Sequence, residues 1–407
     1  MLICSVCGSD NLKKNGLHAN GNQRYKCNSC GSQAKPIESE NYTEVVQENV
    51  RLAKRAQKFQ DKNRIENKSF REFARSENAL VEFVSELRNV VIKNSINITS
   101  DMFPDITESL DGSVGIIHLS DLHFNELVDV IGNTYDFKVA SARLSMYAEK
   151  VLSTVKGKNL SQIYIVFTGD LLNSDRRLDE LLSMATNRAM ATFLAVKILS
   201  QFVMHIATRC GSPVKIISVT GNESRIREEY TQLDSMATDN FDFMIYEMMK
   251  LYLTNAEPYV EFISGNTFEY ILTIHNKNIL VVHGHRLGKM THTDLSKAIT
   301  KWAKKGILIN AIMCGHLHEA NITDTLLRNG SLVGNNAYSD VGLNLHSHAS
   351  QNFYIVNPDG TIDATKFDLQ YVDNYEGIYN ISKDLEAYNA KSINKIRDTK
   401  TIMEILI

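Results

Sequence analysis

Five apolar, β-branched runs punctuate the middle of the chain, at 114–119, 163–167, 214–219, 279–282 and 307–313. Each reads as a β-strand followed by a tight turn. Upstream, residues 41–98 contain neither Gly nor Pro, and Val45, Val46, Val50, Ala53, Ala56 and Phe59 recur at helical spacing, as do Leu80, Phe83, Val84, Leu87 and Val91. That stretch reads as one or two long helices. Residues 97–112, with Pro104, mark a boundary. Downstream, 331–337 and 352–357 read as strands, Pro358-Asp359-Gly360 as a turn into a further strand, and 382–407 as one or two helices capped by Ser382. No internal repeat or low-complexity tract interrupts this order.

The turns that close the five strands change the picture. They carry Asp121-Leu122-His123, Gly169-Asp170, Gly221-Asn222, His283-Gly284-His285 and Gly315-His316-Leu317-His318. Open α/β sheets place their chemistry at the carboxyl ends of strands. Taken singly, each of these residues has a plainer explanation: Asp121 and Asp170 as helix caps, Asn222 as a turn residue, a His as surface or core. Five such clusters in series point to metal ligands. Carboxylate, amide and imidazole donors together suit Mn, Fe or Zn better than Mg or Ca, with Mn the first expectation. His118, His205, His275 and His292 lie outside the motifs and read as structural, and Cys210 and Cys314 as neutral thiols.

Hydrophobic residues make up 43% of the chain and charged residues 22%, an ordinary globular balance over 407 residues. The net charge of -3 hides an asymmetry: residues 1–75 hold fourteen Lys/Arg against eight Asp/Glu, so the remainder carries -9. A basic N-terminal module facing a polyanion, beside an acidic body that holds cations, is one reading. No apolar stretch looks long enough to span a membrane, and the start lacks the features of a signal peptide. The expected compartment is the cytoplasm, where cysteine pairs serve more often as metal ligands than as disulfides.

Four of the six cysteines fall as Cys4-x2-Cys7 and Cys27-x2-Cys30, nineteen residues apart, which suits one structural Zn in a tetrahedral Cys4 site. Gly8 and Gly31 follow each pair, where the turn needs a permissive residue. Chance pairs or a disulfide hairpin are the alternatives. Arg51, Lys54, Arg55, Lys58, Lys62, Arg64, Lys68, Arg71 and Arg75 form a basic series along the connector. It can track a phosphate backbone, or it can be a solvated helix face with Glu66 and Glu72 pairing locally.

Two resemblances sharpen these expectations. The run Gly21-Asn22-Gln23-Arg24-Tyr25-Lys26-Cys27, with the cysteine pairs around it, resembles the zinc ribbon at the start of many insertion-sequence transposases. Ribbons of that kind contact DNA, and Lys13, Lys14, Arg24, Lys26 and Lys35 would then meet phosphate; other ribbons bind protein. From about 114 to 363 the motif order resembles the calcineurin-like metallophosphoesterase family. That implies two packed mixed β-sheets flanked by helices and two divalent metals. Asp121, His123, Asp170 and His318 would hold the first metal, and Asp170, Asn222, His283 and His316 the second. A hydroxide bridging the pair would attack phosphorus.

The chain departs from the family at Gly221-Asn222-Glu223-Ser224-Arg225, where Glu223 replaces the usual His. The SbcD-like DNA-repair nucleases read Gly-Asp-Leu-x-His after the bridging Asp, and here Asn173 stands in place of that His. Glu223 or His285 could supply the lost proton transfer, and Arg176, Arg177, Arg225 and Arg227 could hold substrate phosphates or simply pair at the surface. The same motifs look similar to phosphoesterases encoded by bacteriophages, which would place the protein in the host cytoplasm.

The expected organisation is α/β: a zinc ribbon at 1–36, a helical basic connector at 37–110, the metallophosphoesterase double-sheet domain at 111–370 and a helical tail at 371–407. The leading expectation is a metal-dependent phosphodiesterase acting on DNA as a nuclease. The others are a phosphodiesterase or phosphatase for small or cyclic nucleotides or phosphoproteins, and a catalytically weak nucleic-acid-binding protein. DNA is the expected partner, through the ribbon and connector; a homodimer and an unidentified protein partner stay open.

Overall fold

The computed structural model describes residues 1–33, 35–38, 47–48, 50–64, 66–68, 98–104, 112–158, 160–176, 178–226, 237–336 and 347–372. The expected C-terminal helices, the whole of the connector's second apolar series, Arg177 and Arg227 lie outside them. The chain divides into two compact units, Met1–Phe83 and Val84–Ile407.

In the first unit, β1 (Leu2–Ile3) pairs antiparallel with β4 (Ile37–Glu38), and β2 (Leu12–Leu17) with β3 (Gln23–Cys27). The two cysteine turns are built alike. Gly8 N–H donates to Cys4 O and Gly31 N–H to Cys27 O, both at 2.9 Å, while the Cys4 and Cys27 amides donate to Ser9 O and Ser32 O, both at 2.8 Å. Gly8 and Gly31 close these turns in the left-handed region, at φ 72° and 74°. Residues 50–64 are helical and exposed throughout, with Arg51 paired to Glu48 at 2.9 Å.

The second unit is α/β, with two mixed sheets packed face to face and flanked by helices. The first sheet takes β10 (Val260–Thr267), β9 (Val214–Val219), β8 (Gln162–Phe167), β5 (Val114–Leu119), β16 (Ser350–Val356) and β17 (Ile362–Asp368), in that order. β10 to β5 run parallel; β16 and β17 are antiparallel. The second sheet is β11 (Glu269–Ile274), β12 (Lys277–Val282), β13 (Ala311–Cys314), β15 (Leu326–Arg328) and β14 (Asn321–Ile322), with β12, β13 and β15 parallel. A small hairpin, β6 (Val128–Val130) and β7 (Asn133–Tyr135), stands apart.

Strand period explains the layers. Ile279 and Val281 face the core between the sheets with Ile116, Val166, Ile217, Met313 and Tyr354. Leu280 and Val282, one residue out of phase, pack on the opposite face with Ile312 and Cys314, against Leu295 and Trp302. Strands buried on both faces read as continuous apolar runs, so they were legible. The helix on that face is the last of the five among the described residues of this unit: α1 (Phe137–Val155), α2 (Leu178–Leu182), α3 (Arg188–Ala207), α4 (Phe241–Tyr252) and α5 (His292–Ala303). On the first sheet, the α1 residue Tyr147 donates its hydroxyl to Asn352 O at 2.6 Å.

Two expectations are corrected. Residues 331–336 form no strand; their buried amides are taken up by loops, Ser331 N–H donating to His318 O and Leu332 N–H to Asp121 O, both at 3.1 Å. Helix α3 is long and apolar enough to cross a membrane, contrary to the reading that no stretch approaches that length. It is a core helix: 72% of its apolar window is buried inside the fold.

Arg143 on α1 ties this region together. Its guanidinium is 1% exposed and donates to Leu332 O, Val333 O, Asn133 Oδ1 and Gln370 O at 2.8–3.1 Å. Burial holds it down to about 10, without approaching neutrality. Arg143→Met keeps most of the volume but removes the side-chain donor from Leu332 O and Gln370 O in the core, while Val333 O and Asn133 Oδ1 keep only Asn133 Nδ2 and Gln370 Nε2. Chemical denaturation should show a loss of about 3 kcal/mol or more; a change within a few tenths would contradict this account.

Candidate metal centre

The five strand-end turns converge. Asp121, His123 and His318 form one group of donor atoms and Asp170, His283 and His316 a second, each with its donor atoms within 4.8 Å of one another. In the first, His318 Nε2 lies 3.4 Å and His123 Nε2 3.9 Å from Asp121 Oδ1, and the two imidazole nitrogens face each other at 3.2 Å. In the second, His283 Nε2 is 2.9 Å from Asp170 Oδ2.

The backbone is bent to achieve this. Asp121, His123, Asp170, His316 and His318 all adopt positive φ, between 41° and 72°. Non-glycine residues there are strained by roughly 1–3 kcal/mol each, and such strain gathers at functional sites. Close approach adds a second constraint. A Cβ on Gly221 would sit 2.0 Å from Asp170 Oδ1, and one on Gly315 would sit 2.1 Å from Asp121 Oδ2.

Neighbouring donors and acceptors decide which atoms are left over. His283 Nδ1 donates to Thr168 O at 2.7 Å, which turns Nε2 toward Asp170. Asn222 Nδ2 donates to Glu223 Oε1 at 2.5 Å, while Asn222 Oδ1 is buried without a partner. Asp121 Oδ1 faces only the imidazoles of His318 and His123, at 3.4 and 3.9 Å. Buried lone pairs without donors are costly. Their chemistry, oxygen and imidazole nitrogen around two shared foci, fits a pair of divalent cations.

Electrostatics point to the same missing charge. Burial alone would raise Asp121 and lower His318, but their mutual attraction outweighs it: Asp121 is held down to about 2 and His318 is held up. Burial likewise opposes the pairing of Asp170 with His283, and the carboxylate wins, raising His283 to about 9 and holding Asp170 low. His123 is driven down to about 4 by burial and by the charge of His318. The protonated His283 thus stands where a cation would balance Asp170.

The other expected site residues fall around this centre. Asn173 and Glu223 line a groove of about 420 Å³ with His123, Asp170, His316 and His318. Arg176 donates to Glu223 Oε2 at 2.9 Å. Arg225 is close enough to Asp170, Glu223 and Arg176 to feel their charges. His285 packs against His283 and His316, with ring centroids 5.5 and 6.2 Å away, and burial pushes it down to about 3.

Sequence reading missed Asp242, at the start of α4. Its carboxylate accepts from Asp170 N–H (3.0 Å), Leu171 N–H (2.9 Å) and Gly221 N–H (2.9 Å), so one side chain clamps two ligand turns. Asn240 Nδ2 donates to Gly221 O beside it, at 3.0 Å. Burial and the charge of Asp170 raise Asp242 to about 6. The signal available was Asn240-Phe241-Asp242, which reads as an ordinary helix start.

The cysteines also converge. Cys4 and Cys30 sulfurs lie 3.7 Å apart, and Cys7 and Cys27 sulfurs 3.6 Å. That is too long for a disulfide and matches the edge of about 3.8 Å that a Zn–S bond of ~2.3 Å gives a tetrahedron. The backbone amides of Cys30 and Ser29 lower Cys27 to about 6, toward the thiolate that binds metal.

Asp242→Asn sets an N–H where backbone N–H groups point. Mn²⁺ affinity, measured by calorimetry, should fall roughly 10–100-fold; unchanged affinity in a folded variant would refute the clamp. Affinity should also climb as pH rises toward about 9, because below that value an entering cation must expel the His283 proton. Proton release at neutral pH is readable by repeating the titration in buffers of different ionisation enthalpy. Cys27→Ser should lose one tightly held zinc per chain, counted by metal analysis.

No family model matches the chain, and no curated protein matches it. Among solved structures, the chain is similar to zinc-complexed Vps29 of Entamoeba histolytica, at 11% identity and TM-score 0.29, over 63% of this chain and 99% of that one. It is also similar to vacuolar protein sorting 29 of Cryptosporidium parvum, at 12% and 0.32, over 63% and 100%. A third is the calcineurin-like phosphoesterase YfkN of Bacillus subtilis, at 9% and 0.30, over 68% and 98%. Scores this low carry no argument about the site, which stands on its own geometry.

Proposed function

We propose that the protein is a two-metal phosphoesterase, a member of the calcineurin-like class, acting on phosphodiesters. The observation that carries this is the convergence of carboxylate and imidazole donors on two foci, Asp121, His123 and His318 at one and Asp170, His283 and His316 at the other, with Asn222 Oδ1 buried and unpartnered. Asp121, His123 and His318 would hold one ion and Asp170, Asn222, His283 and His316 the other, with Asp170 shared. When bound, two such ions polarise a phosphoryl group and bring the pKa of water toward ~7.

The chain's own residues supply the rest. Glu223 is raised by burial and by the charge of Asp170, against the pull of Arg176. Its carboxyl retains a proton more readily than an exposed Glu and can deliver it from an Oε to a leaving oxygen. His285, held neutral with its pKa pushed down to about 3, is a weak base with no acidic proton to give at neutral pH, though its ring can give or take a hydrogen bond. Glu223 therefore fills the place of the family His. Arg225, which has no ion-pair partner among the described residues, is placed to hold a phosphate oxygen.

For the substrate, the basic ribbon and connector favour DNA, hence a nuclease. One observation favours a small nucleotide: the groove at the metal centre is walled by Glu126, Asp129, Glu180 and Glu223, which would repel a second phosphate of a strand.

End-labelled single- and double-stranded DNA, incubated with Mn²⁺ and wild type or Asp170→Asn, tests the first substrate; bis-p-nitrophenyl phosphate tests the chemistry alone. Cleavage of both by wild type, lost by roughly 10³-fold or more in the variant, is expected of a nuclease. Cleavage of the small ester with intact DNA would redirect the reading to small nucleotides. No hydrolysis of either would overturn it.

A further inference from the structure

A second cavity, of about 490 Å³, is lined by His283, Gly284 and His285, so one candidate metal ligand is also a cavity wall. Residues of the β12 turn and of α5, Trp302 among them, line the rest of the cavity. Its apolar surfaces come from Phe268, Leu280, Val282 and Trp302. Its rim carries both signs: Asp294 and Glu269 offer acceptors, and Lys297 and Lys301 offer donors. Lys301 is held over the cavity edge by Glu269, at 2.7 and 2.8 Å.

The lining residue Arg286 holds its guanidinium 4.3 Å from the centre of the Phe268 ring, stacked rather than ion-paired. Arg286 has no ion-pair partner among the described residues. It is also near enough to Arg225 for the two charges to interact. A ligand in this cavity therefore lies beside a candidate metal ligand and an arginine without a carboxylate partner, between partly aromatic walls with a mixed polar rim. Phosphate suits the metal centre and the two arginines. A flat, hydrogen-bonding ring suits the cavity: its edge can meet donors and acceptors at the rim, and its faces the apolar walls, where Arg286 covers one face of Phe268 and Lys305 one face of Trp302, 4.4 Å from the ring centre. The size lies in the range of small-ligand pockets and is enough for one nucleoside.

We infer that this cavity binds the nucleoside of a nucleotide whose phosphate lies at the metal centre. The inference rests on the phosphoesterase reading and narrows its substrate to phosphate esters bearing a nucleobase. Both a free nucleotide and the terminal nucleotide of a strand carry that chemistry, and the cavity admits one base.

Trp302 is the chain's single tryptophan, so its fluorescence reports occupancy directly. The whole protein would be titrated with adenosine monophosphate, ribose 5-phosphate, inorganic phosphate and a short 5′-phosphorylated oligonucleotide, correcting for nucleotide absorbance. Saturable quenching by adenosine monophosphate or by the oligonucleotide is expected, at least tenfold tighter than any response to ribose 5-phosphate. Response to the nucleotide identifies a free nucleotide as the source; response to the oligonucleotide alone identifies a strand end. Ala298→Phe, which pushes a ring into the cavity from α5, should weaken that binding tenfold or more while melting like the wild type.

Absence of quenching, or equal quenching by ribose 5-phosphate, overturns the inference whether or not the variant folds. Hydrolysis of bis-p-nitrophenyl phosphate is measured alongside. If hydrolysis persists without quenching, the cavity assignment falls and the phosphoesterase reading stands. If quenching occurs without hydrolysis, the base site stands and the phosphoesterase reading falls.

Discussion

The buried carboxylate of Asp170 is the charge around which the second unit is arranged. It is almost wholly withheld from water among other carboxylates, and its closest partners compensate for it. His283 takes a proton to face it, Glu223 donates its backbone N–H to Oδ1 at 2.7 Å, and Gly221 gives up a side chain so that the oxygen can fit. Asp242 takes the other side of the same turn, accepting the N–H of Asp170 itself. A second buried carboxylate, Asp121, is managed in parallel by His318, by Ser120 Oγ at 2.5 Å and by the His316 amide at 2.9 Å. Two anions so placed raise the energy of the fold without cations, and the left-handed backbone of five donor residues raises it further. The packed core between the sheets offsets that load.

Much of this arrangement was legible in the sequence because strands buried on both faces leave unbroken apolar runs, and a strand end is a fixed point from which a turn residue can be placed. The runs at 114–119 and 214–219 coincide with β5 and β9. The run at 307–313 overshoots: β13 begins only at Ala311, since Ile307–Asn310 lead out of α5 and Leu308 is exposed. Residues 331–336 look like a strand by composition, yet they are held by side chains from distant parts of the chain, Arg143 above all. Long-range hydrogen bonding of a loop leaves no periodic trace. Asp242 was illegible for the same reason: an acidic residue in the first turn of a helix is explained locally, and its three partners lie some 21 to 72 residues away. Helix α3 misled in the other direction, its all-round apolarity being the mark of a helix enclosed by protein.

The two units would handle metal differently. In the four-cysteine module the sulfurs come from two short turns of the same construction, and little else is buried there among the described residues beyond Ile3, Cys4 and Cys27. Metal in such a module supplies folding energy. In the second unit the donor atoms are delivered by five strand ends over nearly two hundred residues, and the fold that delivers them owes its stability to its own core. A chelator would accordingly threaten the structure of one and the chemistry of the other.

The closeness of Gly221 to Asp170 and of Gly315 to Asp121 has a genetic reading. Neither glycine has a side chain to offer a metal, yet any side chain at either position would have to occupy the space of a carboxylate oxygen. In a scan of inactivating substitutions, these two glycines should be as intolerant as the aspartates beside them. A map drawn from such a scan would trace the outline of the carboxylates' van der Waals surface, and counting its positions would overstate the number of residues that bind metal.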